Sequence, residues 1–112
     1  MFSLKWIRGR QDSGYQKIVL LKSKLLKMDM YLIKYEKGDF IPEHKDEVDK
    51  LFIHNRINIL LKKATKGGEF YCNKYKIFLN RIIFFQPSEE IHSVAKITEG
   101  SRYILSIGWL SK

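Results

Sequence analysis

Two histidines and an aspartate are the residues of this 112-residue sequence whose types and spacing suggest chemistry. His44 and Asp46 are separated by one residue, so in an extended segment they project from one face and can grip a single ion. Alone the pair is weak, because the polar stretch Glu43 to Asp49 also reads as a solvated loop. His92 changes its weight: it opens a late strand, after the apolar run Ile82-Ile83-Phe84-Phe85 and the turn at Pro87. Two imidazoles and one carboxylate on a rigid frame make a facial donor set for Fe(II), with three coordination positions left for substrate and O₂. Zinc accepts the same donors. His54 is a competing imidazole, read as a surface residue or a support behind the ligands.

Arg102 supplies a second group. If Thr98 to Ser101 turns a hairpin, Arg102 lies opposite Lys96 or Ile97, about 13 Å from His92 at ~3.3 Å per residue. That gap suits a five-carbon diacid: a 2-oxo acid chelates the metal at one end, and a guanidinium receives the far carboxylate in a bidentate pair. Strand parity puts Arg102, Ile104, Ser106 and Gly108 on one face, small and polar as a pocket requires. Tyr103, Leu105, Ile107 and Trp109 occupy the other face, bulky and apolar as a packed layer requires.

The elements that must hold these groups are mostly strands. Runs of four to eight residues rich in Ile, Phe, Tyr and Leu alternate with turn residues, the pattern of an antiparallel β-domain. Strands are expected at Met30 to Tyr35, Arg56 to Lys62, Glu69 to Asn73, Arg81 to Gln86, His92 to Ile97 and Arg102 to Trp109. Turns fall at Glu36-Lys37-Gly38-Asp39, Thr65-Lys66-Gly67-Gly68, Gln86-Pro87-Ser88 and Thr98-Glu99-Gly100-Ser101. Between Tyr15 and Met28 the apolar positions Ile18, Leu21, Leu25 and Met28 fit a helical stripe covering one sheet. Ile18-Val19-Leu20-Leu21 would also serve as a strand; a short N-terminal helix is the expectation. Strands of this length and number close most economically into a jelly roll.

Length supports one domain over residues 1–112. Hydrophobic residues make up 45% and charged residues 29%, a globular balance rather than a disordered one. No apolar run approaches the roughly 20 residues that cross a bilayer, and residues Met1 to Arg10 lack the apolar core of a secretory signal. Cys72 is the single cysteine, so no intrachain disulfide forms, and a cytoplasmic setting is expected. The net charge of +9 invites a nucleic-acid partner. Lysines outnumber arginines about three to one and are spread along the chain, which fits a solvated surface at least as well. Nonspecific, salt-sensitive nucleic-acid binding without oxidation of DNA or RNA is the expectation, since Tyr71, Tyr75 and Phe78 form the one aromatic cluster near a rim.

The segment Tyr35-Glu36-Lys37-Gly38-Asp39-Phe40-Ile41-Pro42-Glu43-His44-Lys45-Asp46 resembles the Y-x-x-G-x(5)-H-x-D block of the Fe(II)/2-oxoglutarate-dependent oxygenases, especially their prolyl-hydroxylase-like branch. Gly67-Gly68-Glu69-Phe70 resembles that branch's G-G-E-x-x-F element, shortened by two residues. Phe84-Phe85-Gln86-Pro87, His92-Ser93-Val94, Glu99-Gly100-Ser101-Arg102-Tyr103 and Trp109 resemble its closing block, in which the second metal histidine precedes the basic cosubstrate residue by about ten positions. The likeness runs over roughly Tyr31 to Trp109.

This resemblance implies a double-stranded β-helix (jelly roll), Fe(II) held by His44, Asp46 and His92, and the cosubstrates 2-oxoglutarate and O₂, with 2-oxoglutarate anchored by Arg102. Tyr35 matches the tyrosine opening the first block and lines the cosubstrate site on that basis. Arg56 and Asn58 share a strand face by parity and are candidate hydrogen-bonding residues for cosubstrate or substrate. Phe40 stands where a second tyrosine is often found, which removes one phenol. The implied activity is hydroxylation of a protein side chain, a nucleobase or a small metabolite. A non-catalytic jelly-roll module that sequesters a small ligand is the alternative.

Overall fold

A computed structural model of the chain describes residues 6–8, 14–46, 51–74, 77–78 and 81–111. Among these residues ten strands form two antiparallel sheets. The larger sheet orders β1 (Ile7–Arg8), β2 (Gln16–Ser23), β3 (Met28–Tyr35), β10 (Arg102–Ser111), β5 (Ile53–Lys62), β8 (Ile82–Phe85) and β7 (Ile77–Phe78). The smaller one orders β4 (Ile41–His44), β9 (His92–Val94) and β6 (Phe70–Cys72). The mainly β, jelly-roll architecture expected from the alternating pattern is what forms.

No helix forms among the described residues, and Tyr15 to Met28 is where expectation and structure part. Strand β2 pairs with β3 from Gln16↔Lys34 to Ser23↔Met28, and Lys24 to Lys27 make the turn between them. The register shifts between Val19 and Leu21, so Leu20 is the extra residue of a bulge. A bulge slips the two-residue alternation by one, which let the apolar spacing imitate a helix. The backbone decides the outcome, because the outer edge of β3 must find hydrogen-bond partners. Leu25 lies in the turn at 89% exposure, on what would have been the buried stripe.

The turn at Thr98 to Ser101 also differs from expectation. Strand β9 pairs with β4 and β6, whereas β10 pairs with β3 and β5, so the segment between them crosses from one sheet to the other and closes no hairpin. It is tied on both sides on the way. Ile97 N donates to Asp39 O (3.0 Å), Gly38 N donates to Ile97 O (2.8 Å), and Thr98 N donates to Lys66 O (3.0 Å). Arg102 therefore faces Tyr35 across the β10–β3 ladder rather than Lys96 or Ile97. The other three turns form bends where the sequence places them, with Asp39 closing its own turn by accepting from Glu36 N (2.8 Å).

The parity of β10 is as read: Arg102, Ile104, Ser106 and Gly108 are buried, and the odd positions are half-buried. The assignment of layers changes, since Tyr103, Leu105, Ile107 and Trp109 form the outer face while Ile104 belongs to the core between the sheets. That core joins Tyr15, Tyr35, Ala64, Val94, Ile97 and Ile104. Ile97, 1% exposed in the crossing segment, packs beneath the Gly67-Gly68 turn.

Gly67 has φ +84°, and a Cβ there would collide with the Lys96 carbonyl oxygen. Gly67→Ala therefore combines left-handed strain with a backbone clash and should destabilise the protein by about 2 kcal/mol or more. Urea unfolding checks this; an unchanged midpoint would show that the crossing segment yields easily.

Candidate metal centre

His44 ends β4 and pairs directly with His92 on β9, so the ladder itself sets the two imidazoles side by side with ring centroids 4.3 Å apart. Asp46 follows β4, and its backbone N–H donates to Pro87 O (2.9 Å), which fixes it beside the turn leading to His92. One ligand atom from each of His44, Asp46 and His92 lies within 4.8 Å of the others. His44 Nε2 is 3.2 Å and His92 Nε2 is 3.8 Å from Asp46 Oδ1. Neighbouring donors of a six-coordinate ion with bonds of ~2.1 Å lie ~3 Å apart, so the set must draw in to close on a metal, least at His44 and Asp46.

The orientation of the rings also fits a metal. His44 Nδ1 bonds Pro42 O at 2.8 Å and His92 Nδ1 bonds Glu90 O at 3.0 Å. A carbonyl can only accept, so each Nδ1 carries a proton, and in the neutral ring each Nε2 is left to present a lone pair to a metal, the arrangement that holds ligand imidazoles in one tautomer. Phe70 and Phe85 pack against the His92 ring at 6.2 and 5.3 Å. Burial lowers the His92 pKa against the opposing pull of the Glu90 carbonyl and Asp46. Burial would raise that of Asp46, yet in the metal-free site a proton on His44 Nε2, the hydrogen bond from His54 and the charge of His92 when protonated outweigh it and hold the carboxyl well below the usual carboxylate range.

His54 lies on β5, buried, and is not a surface residue. Its Nδ1 is 3.3 Å from Asp46 Oδ2, and its Nε2 is 3.2 Å from Arg56 Nη2. A guanidinium can only donate, so His54 accepts at Nε2 and gives its Nδ1 proton to Asp46. Arg56 in turn bonds Asp29 Oδ1 (2.5 Å) and Ser106 Oγ (2.7 Å), and Ser106 Oγ donates to Asn58 Oδ1 (2.6 Å). The guanidinium fits because Gly108 has no side chain; a Cβ there would strike it.

A cavity of about 140 Å³ gathers all the residues singled out in the sequence: His44, Asp46 and His92, with Tyr35, Asn58, Arg56 and Arg102. Arg102 is 7% exposed, lies with its guanidinium carbon 5.1 Å from the centre of the Tyr35 ring, and interacts with the Tyr35 phenol. Tyr35 stacks on Tyr15 at 5.4 Å. Burial pushes the Tyr35 phenol pKa up and lowers that of Arg102, each partly offset by the other. Two participants escaped the sequence reading as parts of this site, Tyr15 and Asp29, while Ser106 was placed on the pocket face without a role. Ser106 had a signal in its parity with Arg102; Asp29 and Tyr15 had none, because only pairing across β2, β3 and β5 brings them in. Of the aromatic cluster, Tyr71 is exposed, whereas Tyr75 and the Phe78 side chain lie outside the described residues.

No protein-family model matches the sequence, and no curated protein matches it either. Among solved structures the chain is similar to KdgF from a Halomonas species, with TM-score 0.63 and 15% identity over 100% of this chain and 94% of that one. It is also similar to an RmlC-like cupin protein from Desulfovibrio desulfuricans, with TM-score 0.57 and 14% identity over 91% and 89% of the two chains. A cupin 2 conserved barrel domain protein from Salinispora arenicola gives TM-score 0.56 and 14% identity over 89% and 79%. The fold is thus the jelly-roll barrel of the cupins. At these identities the likeness extends to the fold and not to a prolyl-hydroxylase-like branch. No helix among the described residues is long and apolar enough to cross a membrane.

His92→Ala should abolish stoichiometric Mn(II) or Zn(II) binding, while His54→Ala, which leaves the three donors in place, should weaken it about 10- to 100-fold. Calorimetry separates the two; equal effects would make His54 a ligand. The depressed His92 pKa also carries a sign. The unfolded chain takes up the His92 proton first, so the metal-free protein should lose stability as pH falls below the ordinary histidine value of ~6.5. Melting at pH 7.5 and 5.5 tests this, and His92→Gln should flatten the slope.

Proposed function

We propose that the protein is an Fe(II)- and 2-oxoglutarate-dependent oxygenase, acting as a hydroxylase. The observation that carries this reading is one cavity with a two-histidine, one-carboxylate donor set on one wall and a buried arginine–tyrosine pair on another. His44, Asp46 and His92 hold the metal. Bound there, Fe(II) with 2-oxoglutarate supplies an O₂-dependent oxidation that releases succinate and CO₂ and inserts one oxygen into a substrate C–H bond.

The chain's own residues bind and orient. Arg102 receives the distal carboxylate of 2-oxoglutarate, and a buried guanidinium beside a phenol gains most from an anion that neutralises it. Tyr35, kept protonated by burial, adds a hydroxyl donor to the same carboxylate. Asn58 has its carbonyl engaged by Ser106, so its amide nitrogen is the donor left for the ligand. Arg56 acts further back: its terminal nitrogens hold Asp29, Ser106 and His54, and through His54 it orients Asp46. Phe70, Phe85 and Val94 line the same cavity and limit water around the metal.

Purified protein supplied with Fe(II), ascorbate and 2-oxoglutarate should form succinate, with mass spectrometry showing a gain of one oxygen in an accepted substrate. Stoichiometric metal and oxoglutarate binding without succinate across a broad substrate screen would favour the non-catalytic binding module instead. Arg102→Lys keeps the charge but loses the bidentate fork, and should weaken oxoglutarate binding about tenfold while metal affinity stays within about twofold. Unchanged oxoglutarate affinity would move the anchor to another residue.

A further inference from the structure

We propose that the cleft between the tip of the β2–β3 hairpin and the metal centre is a phosphate-binding site that holds the primary substrate. Its substrate role rests on the oxygenase reading above, but its affinity for phosphate does not. The cleft, about 220 Å³, is bounded by Lys22, Lys24 and Lys27 of the hairpin, by Asp46 and His54, and by Trp109. Asp46, His54 and Asp29 line the metal cavity as well, so the two spaces adjoin.

Charge is the first argument. The two carboxylates of the cleft are already engaged, Asp29 by Arg56 and Asp46 by the imidazoles around it. Among the described residues Lys22 and Lys24 have no ion-pair partner, and the Lys27 ammonium lies 5.6 Å over the Phe52 ring. Three exposed lysines thus bound one cleft whose two carboxylates are held by other groups. The field attracts an anion.

The hairpin tip is also held in place. Leu26 N donates to Ser23 Oγ (3.1 Å) and Leu110 N donates to Lys27 O (3.1 Å), with Lys27 in the left-handed region at φ 53°. These bonds fix the backbone from which the lysines project and anchor it to β10 beside Trp109. Lysine is a compact point charge with rotatable donors, suited to the tetrahedral oxygens of phosphate, whereas a planar carboxylate is met better by an arginine fork. Met28, Trp109 and Leu110 complete the cleft wall beside the lysines. A substrate gripped by its phosphate there presents its neighbouring carbons towards the face that carries Asp46.

The experiment starts without metal, 2-oxoglutarate or O₂, so failure of the oxygenase reading leaves it unaffected. Inorganic phosphate, glycerol phosphate and a thymidine hexanucleotide are titrated into wild type, into the Lys22→Gln/Lys24→Gln/Lys27→Gln variant, and into a Lys37→Gln/Lys66→Gln/Lys96→Gln variant that removes equal charge from exposed positions elsewhere. The cleft variant should lose about tenfold in affinity and the control less than about twofold. Equal losses, or none in the cleft variant, overturn the site. Tighter binding of glycerol phosphate than of phosphate points to a small phosphomonoester, and tighter binding of the hexanucleotide to a phosphodiester strand; if neither exceeds phosphate, the cleft takes an adventitious ion only and the proposal fails. With Mn(II) loaded, the ³¹P resonance of the bound molecule should broaden in wild type and not in the cleft variant. Binding without broadening would separate the phosphate from the metal and remove the substrate role.

Discussion

A half-buried carboxylate facing three imidazoles is the constraint around which this barrel is arranged. Asp46 presents Oδ1 to His44 and His92 and Oδ2 to His54. Removing an ionised carboxylate from water costs several kcal/mol unless donors or cations replace the lost hydration. His44, on Asp46's own segment, cannot do this alone. The remaining imidazoles come from β9 and β5, one in each sheet, so the groups that face Asp46 are gathered only where the two sheets meet.

That requirement spreads outward through residues with no direct claim on a metal. His54 can donate to Asp46 only if its other nitrogen accepts, and Arg56 supplies that donor. Arg56 must itself be neutralised inside the protein, which Asp29 does, and must be given space, which Gly108 does. Ser106, fully buried, accepts from Arg56 and donates to Asn58, so both directions of its hydroxyl are used. A chain of polar groups in which each is satisfied by the next is costly to break at any member.

Much of this arrangement is legible in the sequence. The His-x-Asp spacing, the later His92 and the even-numbered face of β10 depend on local geometry, which sequence records directly, and all lead to one cavity. What could not be read was long-range pairing. The helical stripe at Ile18, Leu21 and Leu25 arose from a bulge, and nothing local distinguishes a one-residue slip from a change of period. Thr98 to Ser101 carries the residues of a tight turn, yet the chain uses them to pass between sheets, because β9 is needed between β4 and β6. Arg102 reached the cavity by a different route from the hairpin imagined for it, facing Tyr35 instead of Lys96. The polar network behind Asp46 was legible only in pieces, His54 as one reading of a competing imidazole and Ser106 by parity, whereas Asp29 and the links between them arise only from the β3, β5 and β10 ladders.

The division of labour between the sheets has an energetic consequence. The three candidate metal donors belong to the smaller sheet and the loop after β4, whereas Arg102, Tyr35 and Asn58 of the proposed cosubstrate site belong to the larger. A ligand spanning from the metal to Arg102 would therefore bridge the sheets, as the bond between His54 and Asp46 already does within the protein. Binding energy that depends on the distance between two sheets also opposes their separation, so occupancy and barrel stability are linked. The smaller sheet gains most from this link. Its strands are three or four residues long, and few ladder bonds hold it, so without that bridge its attachment rests on the buried side chains of Val94 and Ile97, on partly buried Phe70, on the backbone bonds of the crossing segment and on the imidazoles that gather around one carboxylate.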